Sequence, residues 1–295
     1  MEQNIVTQLV LPLALFVVML GMGLSLVPAD FRRVFEKPRA VAVGVLGQLL
    51  LLPLIALGVI AALDLPPIFA VGLMVLAFAP GGTTSNAITY LVRGDLALSI
   101  TLTAVTSLVT PFTIPLGTAW AVSRYLGESA SISLPLGSTI AILVAITLVP
   151  VSIGMAVRNK KPALAERAER PVRIFSLVTL FVIIGGLVAK ERANLPEWFA
   201  QTGMATLMLN VTSMAMGFVI SKLARLGRAQ SLTISIEVGI QNGTTALLVT
   251  GTLLGSAQMS IPPAIYSLVM YATAGLLGMA LAMGRRREVQ PAVQA

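Results

Sequence analysis

Glu237 lies inside the apolar run 231–250, SLTISIEVGIQNGTTALLVT, which is long enough to cross a bilayer. A carboxylate at that depth costs about 2.5–3.5 kcal/mol on insertion scales. Every Lys and Arg falls in a gap between apolar stretches, and the chain has no His. No protein cation is therefore at hand inside the membrane, so neutralisation must come from solution, as a proton or a metal ion. The plainer alternative is a protonated Glu bonded to a neighbouring helix. Gln241, Asn242, Thr244 and Thr245 surround the acid in sequence, with Gly239 and Gly243. They supply side-chain oxygens and a backbone free to leave helical geometry.

A second stretch has the same character. In 68–93, Pro80-Gly81-Gly82 interrupts an apolar run and is followed at once by Thr83, Thr84, Ser85 and Asn86. Proline removes a donor and the glycines remove steric bias, so the helix is expected to unwind there. Two polar, glycine-interrupted spans of opposite direction are the mark of inverted repeats meeting at a binding site. Further on, Ser99 and Thr103 share a helical face, with Thr106 one turn beyond. Spacing alone leaves them open between ligands and hydroxyls bonded back to their own helix. Gln48, isolated in VAVGVLGQLLLLPL, is open in the same way between interhelical bonding and ligation.

These residues need a frame, and composition says which. With 56% hydrophobic and 11% charged residues, the chain reads as an all-α integral membrane protein. Nine spans can be laid out near 5–28, 39–63, 67–93, 96–123, 132–157, 172–189, 197–221, 229–254 and 261–283. The first is read as a retained helix, since an acid and no basic residue precede it. Of the 20 basic residues, all but Arg124, Lys190 and Arg192 fall in alternate gaps on one side. The positive-inside rule then puts the N-terminus outside and the C-terminus in the cytoplasm of a cell (inner) membrane protein. The net charge of +8 is thus topological and does not imply nucleic acid. The organisation expected is one transporter domain: a first repeat over 1–123, a linking fifth span over 132–157, a second repeat over 172–283 and a tail over 284–295. Gly21-Met22-Gly23 and the small residues of the ninth span read as packing surfaces. Asp30, Asp64 and Asp95 fall at span ends and read as solvated. Without His or Cys, no nucleophile–base pair or usual hydrolytic metal site can be assembled, so the chain is not read as an enzyme.

PGGTTSNAITYLVRGDLALSITLT and SIEVGIQN, with GMGLSLVPADF after the first span, resemble the bile acid:sodium symporter family over nearly the whole chain. The resemblance implies two crossing discontinuous helices, the third and eighth, holding two sodium ions near the midplane. One site would take Ser85, Asn86, Ser99, Thr103 and Glu237. The other would take Gln48, Glu237 and Gln241, with the carbonyls of Val238 and Ile240. It also implies a core of spans 2, 3, 4, 8 and 9, and a panel of spans 1, 5, 6 and 7.

The function expected is sodium-coupled symport of an organic anion into the cell by alternating access. The substrate class is a bile-acid-like, pantoate-like or other carboxylate or sulfonate, and the carrier is a monomer or weak oligomer. Thr83, Thr84 and Asn242 are the candidate anion contacts, with Tyr271 and Thr273 as wall residues. Sodium is a hard cation and suits such oxygen ligands. The alternative is a proton-coupled anion carrier with Glu237 as the proton site.

Overall fold

The computed structural model describes residues 11–127 and 135–289, whose regular elements are all helices, without a strand. The helices are α1 (Leu11–Ser25), α2 (Pro28–Glu36), α3 (Pro38–Ala62), α4 (Pro67–Phe78), α5 (Thr83–Leu91) and α6 (Leu96–Leu126). They continue as α7 (Leu136–Lys160), α8 (Pro162–Lys190), α9 (Leu195–Leu223), α10 (Arg228–Gly239), α11 (Gly243–Leu253) and α12 (Ala257–Val289). Six of the described helices are long and apolar enough to cross a membrane, or seven if α1 and α2 count as one bent span.

Local sequence sets where these elements begin. Prolines open α2, α3, α4 and α8, where a missing N–H costs nothing. Asp95 caps α6 by accepting from Leu98 N at 3.1 Å. Two π turns, Gly47–Leu51 in α3 and Val144–Leu148 in α7, come just before Pro53 and Pro150. A proline takes away one ladder donor, and a local widening of the helix absorbs the loss. Gln48 sits inside the first of these turns.

The packing separates into two groups. α1, α7 and α8 pack on one another, with Gly21 against Val172 and Gly23 against Val151, so the small residues of the first span do form a packing surface. α4, α6, α9, α10 and α12 form the second group, and α3 lies against it. The seventh span, α9, therefore packs with the broken spans and not with spans 1, 5 and 6 as the resemblance implied. Its Gly217 meets the backbone of Ile234 and Ser235, and Ser235 Oγ donates to Met214 O at 2.7 Å.

The structure departs from the sequence reading elsewhere too. The basic segment after the first span is the helix α2, bent by 66° from α1. Asp30 is 3% exposed, not solvated. It accepts from Val27 N at 2.8 Å and from the Arg33 guanidinium, which neutralises it. Asp95 is half-buried and pairs with Lys37 at 2.9 Å, while Asp64 is exposed as expected. The sixth span starts at Pro162, well before residue 172. Residues 1–10, 128–134 and 290–295 lie outside the described residues. So do the start of the first span, the first residues of the fifth span and the last half of the tail.

Candidate functional site

Two helix breaks meet at the centre. The first runs from Ala79 to Gly82, between α4 and α5; the second runs from Ile240 to Asn242, between α10 and α11. Gly81 and Gln241 form an isolated antiparallel bridge, and Asn242 N donates to Pro80 O at 2.8 Å. Backbone groups freed by each break are thus partly satisfied by the other. Glu237 comes close to the backbone here: a Cβ at Gly81 would lie 2.8 Å from Glu237 Oε2, so the carboxylate would have to shift.

Glu237 is 2% exposed and faces this crossing from α10. Ser85 Oγ on α5 donates to its Oε1 at 2.6 Å, and Ser99 Oγ on α6 donates to the same oxygen. Thr103 Oγ1 donates to Oε2 at 3.0 Å. Asn86 Oδ1 closes the group as an alternative acceptor, 2.7 Å from Ser99 Oγ and 3.5 Å from Thr103 Oγ1. Among the described residues, no Lys or Arg pairs with Glu237. The acid is held by neutral hydroxyls alone.

A second polar group lies beside the first. Gln48 Nε2 on α3 donates to Gln241 Oε1 at 2.6 Å and to Ala79 O at 3.2 Å. Gln241 Nε2 donates to Val238 O at 2.8 Å. Gln48 is 3% exposed and Gln241 2%, so their amides satisfy one another out of water. Ile240 follows in extended backbone, φ −110° and ψ 104°.

The family comparisons bear on this geometry. The model of the Sodium Bile acid symporter family matches residues 12–198. The chain belongs to that family. It is 31% identical to the uncharacterized sodium-dependent transporter YocS of Bacillus subtilis (strain 168), over 85% of this chain and 76% of the relative. It is 28% identical to the human ileal sodium/bile acid cotransporter, over 92% and 78%. It is 29% identical to a probable sodium/metabolite cotransporter, the chloroplastic BASS1 of Oryza sativa subsp. japonica, over 84% and 60%. The chain thus spans about three-fifths of that plant relative's length. These relatives are named as transporters, and the family is one of symporters and not of enzymes.

The residues read from sequence as anion contacts do not all meet. Thr84, Asn242 and Tyr271 line one small recess of about 30 Å³ beside the crossing. The Thr84 and Tyr271 hydroxyls stand 3.4 Å apart. Asn242 Oδ1 is used as a cap, accepting from Thr245 N at 3.1 Å. Thr83 opens α5, and its side chain lies outside the described residues. Thr273 is elsewhere: it donates to Asn210 Oδ1 at 2.6 Å, which removes it from the recess wall. Thr106 bonds back to Leu102 O at 2.9 Å and takes no part in the cluster. Sequence reasoning missed Asn210 and Tyr266, both of which donate to Gly239 O at the second break. Asn210 carried a signal: like Gln48, it is an isolated amide in an apolar span.

Proposed function

We propose that this chain is a sodium-coupled symporter that moves an organic anion into the cell by alternating access. The observation carrying this reading is the Glu237 cluster: a buried carboxylate with three hydroxyl contacts, from Ser85, Ser99 and Thr103, and no cation among the described residues. A single negative charge among neutral oxygens suits a hard monovalent cation, whereas a divalent ion would ask for more carboxylates. Ser85, Asn86, Ser99, Thr103 and Glu237 would hold one sodium. Gln48, Gln241, Glu237 and the carbonyls of Val238 and Ile240 would hold the other.

Charge accounting then explains the coupling. Two sodium ions against one Glu237 carboxylate leave an excess positive charge, which a monovalent anion cancels. The loaded carrier crosses neutral, and the empty one returns with −1. Each cycle moves one net charge inward, driven by about 2.3 kcal/mol per 100 mV. The anion would bind at the recess of Thr84, Asn242 and Tyr271. It would leave through a cavity of about 450 Å³ between the two helix groups, lined by Val18, Asn86, Tyr90, Ile100, Val172 and Ser176 among others.

On this reading there are nine spans in a cell membrane, with the N-terminus outside. α4–α5 and α10–α11 are the discontinuous third and eighth spans, and inverted repeats flank a linking fifth span. The carrier works as a monomer or weak oligomer. The repeat boundaries 1–123 and 172–283 belong to the same reading.

Proteoliposomes given an inward sodium gradient and a size-graded panel of labelled anions test it. Uptake of at least one anion that needs sodium, and that potassium does not support, is the expected result. Uptake driven by a proton gradient in sodium-free medium would instead assign Glu237 to proton coupling.

A further inference from the structure

Gly239 is the last residue of α10, and its carbonyl loses its helical partner at the break. The amide of Gly243 donates to Gln241 O at 3.0 Å instead. Two side chains from different helices replace it. Asn210 Nδ2 on α9 donates to Gly239 O at 2.8 Å, and Tyr266 Oη on α12 donates to it at 2.9 Å. Asn210 is itself oriented by Thr273, and both Asn210 and Tyr266 are 0% exposed. The approach is close, since a Cβ at Gly239 would lie 2.1 Å from Met214 Cγ.

The carbonyl so held stands between those of Val238 and Ile240. Only two soft dihedrals separate one peptide plane from the next, so fixing the middle plane restricts both neighbours. One donor would satisfy the Gly239 carbonyl; two, from separate helices, fix its direction. The first break has a matching device. There Gln48 on α3 donates to Ala79 O, the carbonyl just past the end of α4.

We propose that Asn210 and Tyr266 are positioning residues for sodium. They turn the Gly239 carbonyl toward α9 and α12, and so pre-set the Val238 and Ile240 carbonyls for an ion that neither side chain touches. This rests on the sodium reading above.

The test is a NaCl titration of thermal stability, with KCl replacing NaCl to constant ionic strength. Purified wild type, Tyr266→Phe and Asn210→Ala are compared, followed by uptake in proteoliposomes. Each single variant leaves Gly239 O with its other donor. Thr273 also bonds to Val269 O and Met270 O, both at 3.1 Å, so Asn210→Ala does not orphan it. Each variant is expected to raise the sodium midpoint about fivefold, the effect of one hydrogen bond on an equilibrium. The melting temperature in KCl and the maximal uptake rate at saturating sodium should stay near wild type. A lowered melting temperature in KCl with an unchanged sodium midpoint would show these residues to be structural only. Tyr266→Phe, which loses a single hydroxyl, decides the matter if Asn210→Ala does not fold. Absence of sodium stabilisation in the wild type overturns the sodium reading, and this inference with it. A wild type that responds, beside a Tyr266→Phe that responds identically, overturns the inference alone.

Discussion

The two helix breaks do the same thing to the backbone and are repaired by different neighbours. At the first, Ala79 O accepts from Gln48 and Pro80 O accepts from Asn242 N, so its carbonyls lean on groups of the crossing itself. At the second, Gly239 O is held by Asn210 and Tyr266, from α9 and α12, which supply none of the proposed sodium ligands. The difference separates the roles of the two segments. On the two-sodium reading, the first break and the Gln48–Gln241 amide pair are the part that would rearrange when an ion replaces those hydrogen bonds. The Gly239 carbonyl and the end of α10 that carries Glu237 would be the fixed half.

The strongest way to break this division is to remove the charge from the fixed half. Glu237→Gln should abolish sodium-driven uptake and sodium-induced stabilisation, while the melting temperature in KCl stays the same or rises. A buried carboxylate is costly, and an amide of the same shape relieves that cost. Sodium-dependent uptake surviving in this variant would remove the cluster from the mechanism.

Alanine at the two glycines sharpens the same comparison. In Gly239→Ala the new Cβ runs into Met214 Cγ, in the packing between α9 and α10. It should cost stability, about 1–3 kcal/mol for overpacking, read as a lower melting temperature in KCl. In Gly81→Ala the new Cβ meets Glu237 Oε2, the end of a movable side chain. That variant should melt near wild type in KCl but respond poorly to sodium. Equal effects of the two variants on both readouts would erase the distinction between a fixed and a responsive break.

Much of this was legible in the chain, and the rest was hidden for physical reasons. Pro80-Gly81-Gly82 and Gly239–Gly243 mark the breaks because only those residues relax the backbone constraint there. Glu237 stands out because a carboxylate in an apolar run is costly and no Lys, Arg or His lies in that run to pair with it. The hydroxyls of Ser99 and Thr103 were ambiguous, since the same spacing serves a ligand and a back-bonded filler; Thr106, on the same face, is the filler. Asn210 and Tyr266 escaped notice because a lone polar group in an apolar helix looks like any interhelical bond. Only the fold shows that theirs ends on the carbonyl at a break. The helix α2 is hidden in a gap between spans, because its nine residues fall between two long apolar runs and carry four charges. The place of α9 rested on the resemblance alone, and the sequence offers no check on it. Its residues are mostly apolar, so composition does not say which neighbours it packs against.

A smaller effect is expected at the amide pair. Gln48→Ala removes the donor to both Ala79 O and Gln241, leaving the Ala79 carbonyl without its side-chain partner. On the two-sodium reading it should weaken one ion and spare the other. The sodium dependence of uptake should fall from cooperative toward simple saturation, with a midpoint raised about tenfold, as for a buried polar group left unpaired. Unchanged cooperativity would make Gln48 a structural tie between α3 and the first break.

The smallest effect belongs to α6, which touches the charge without being part of either break. Ser99 and Thr103 each give one neutral oxygen to a cluster of several, so loss of one should be graded. They are also unequal. Ser99 Oγ bridges Glu237 and Asn86, whereas Thr103 Oγ1 is bonded well to Glu237 and only at the 3.5 Å limit to Asn86. Ser99→Ala should therefore raise the sodium midpoint more than Thr103→Val, within the about two- to tenfold range of a single hydrogen bond. Maximal rate should change little in either, because the hydroxyls stabilise the bound ion and not the rearrangement that carries it. Thr103→Ser, which keeps the oxygen and drops the methyl, should recover the wild-type midpoint. A fall in rate with an unmoved midpoint, or no recovery in Thr103→Ser, would assign these side chains to the packing of α6. The charge would then be served by Ser85 and the two breaks alone.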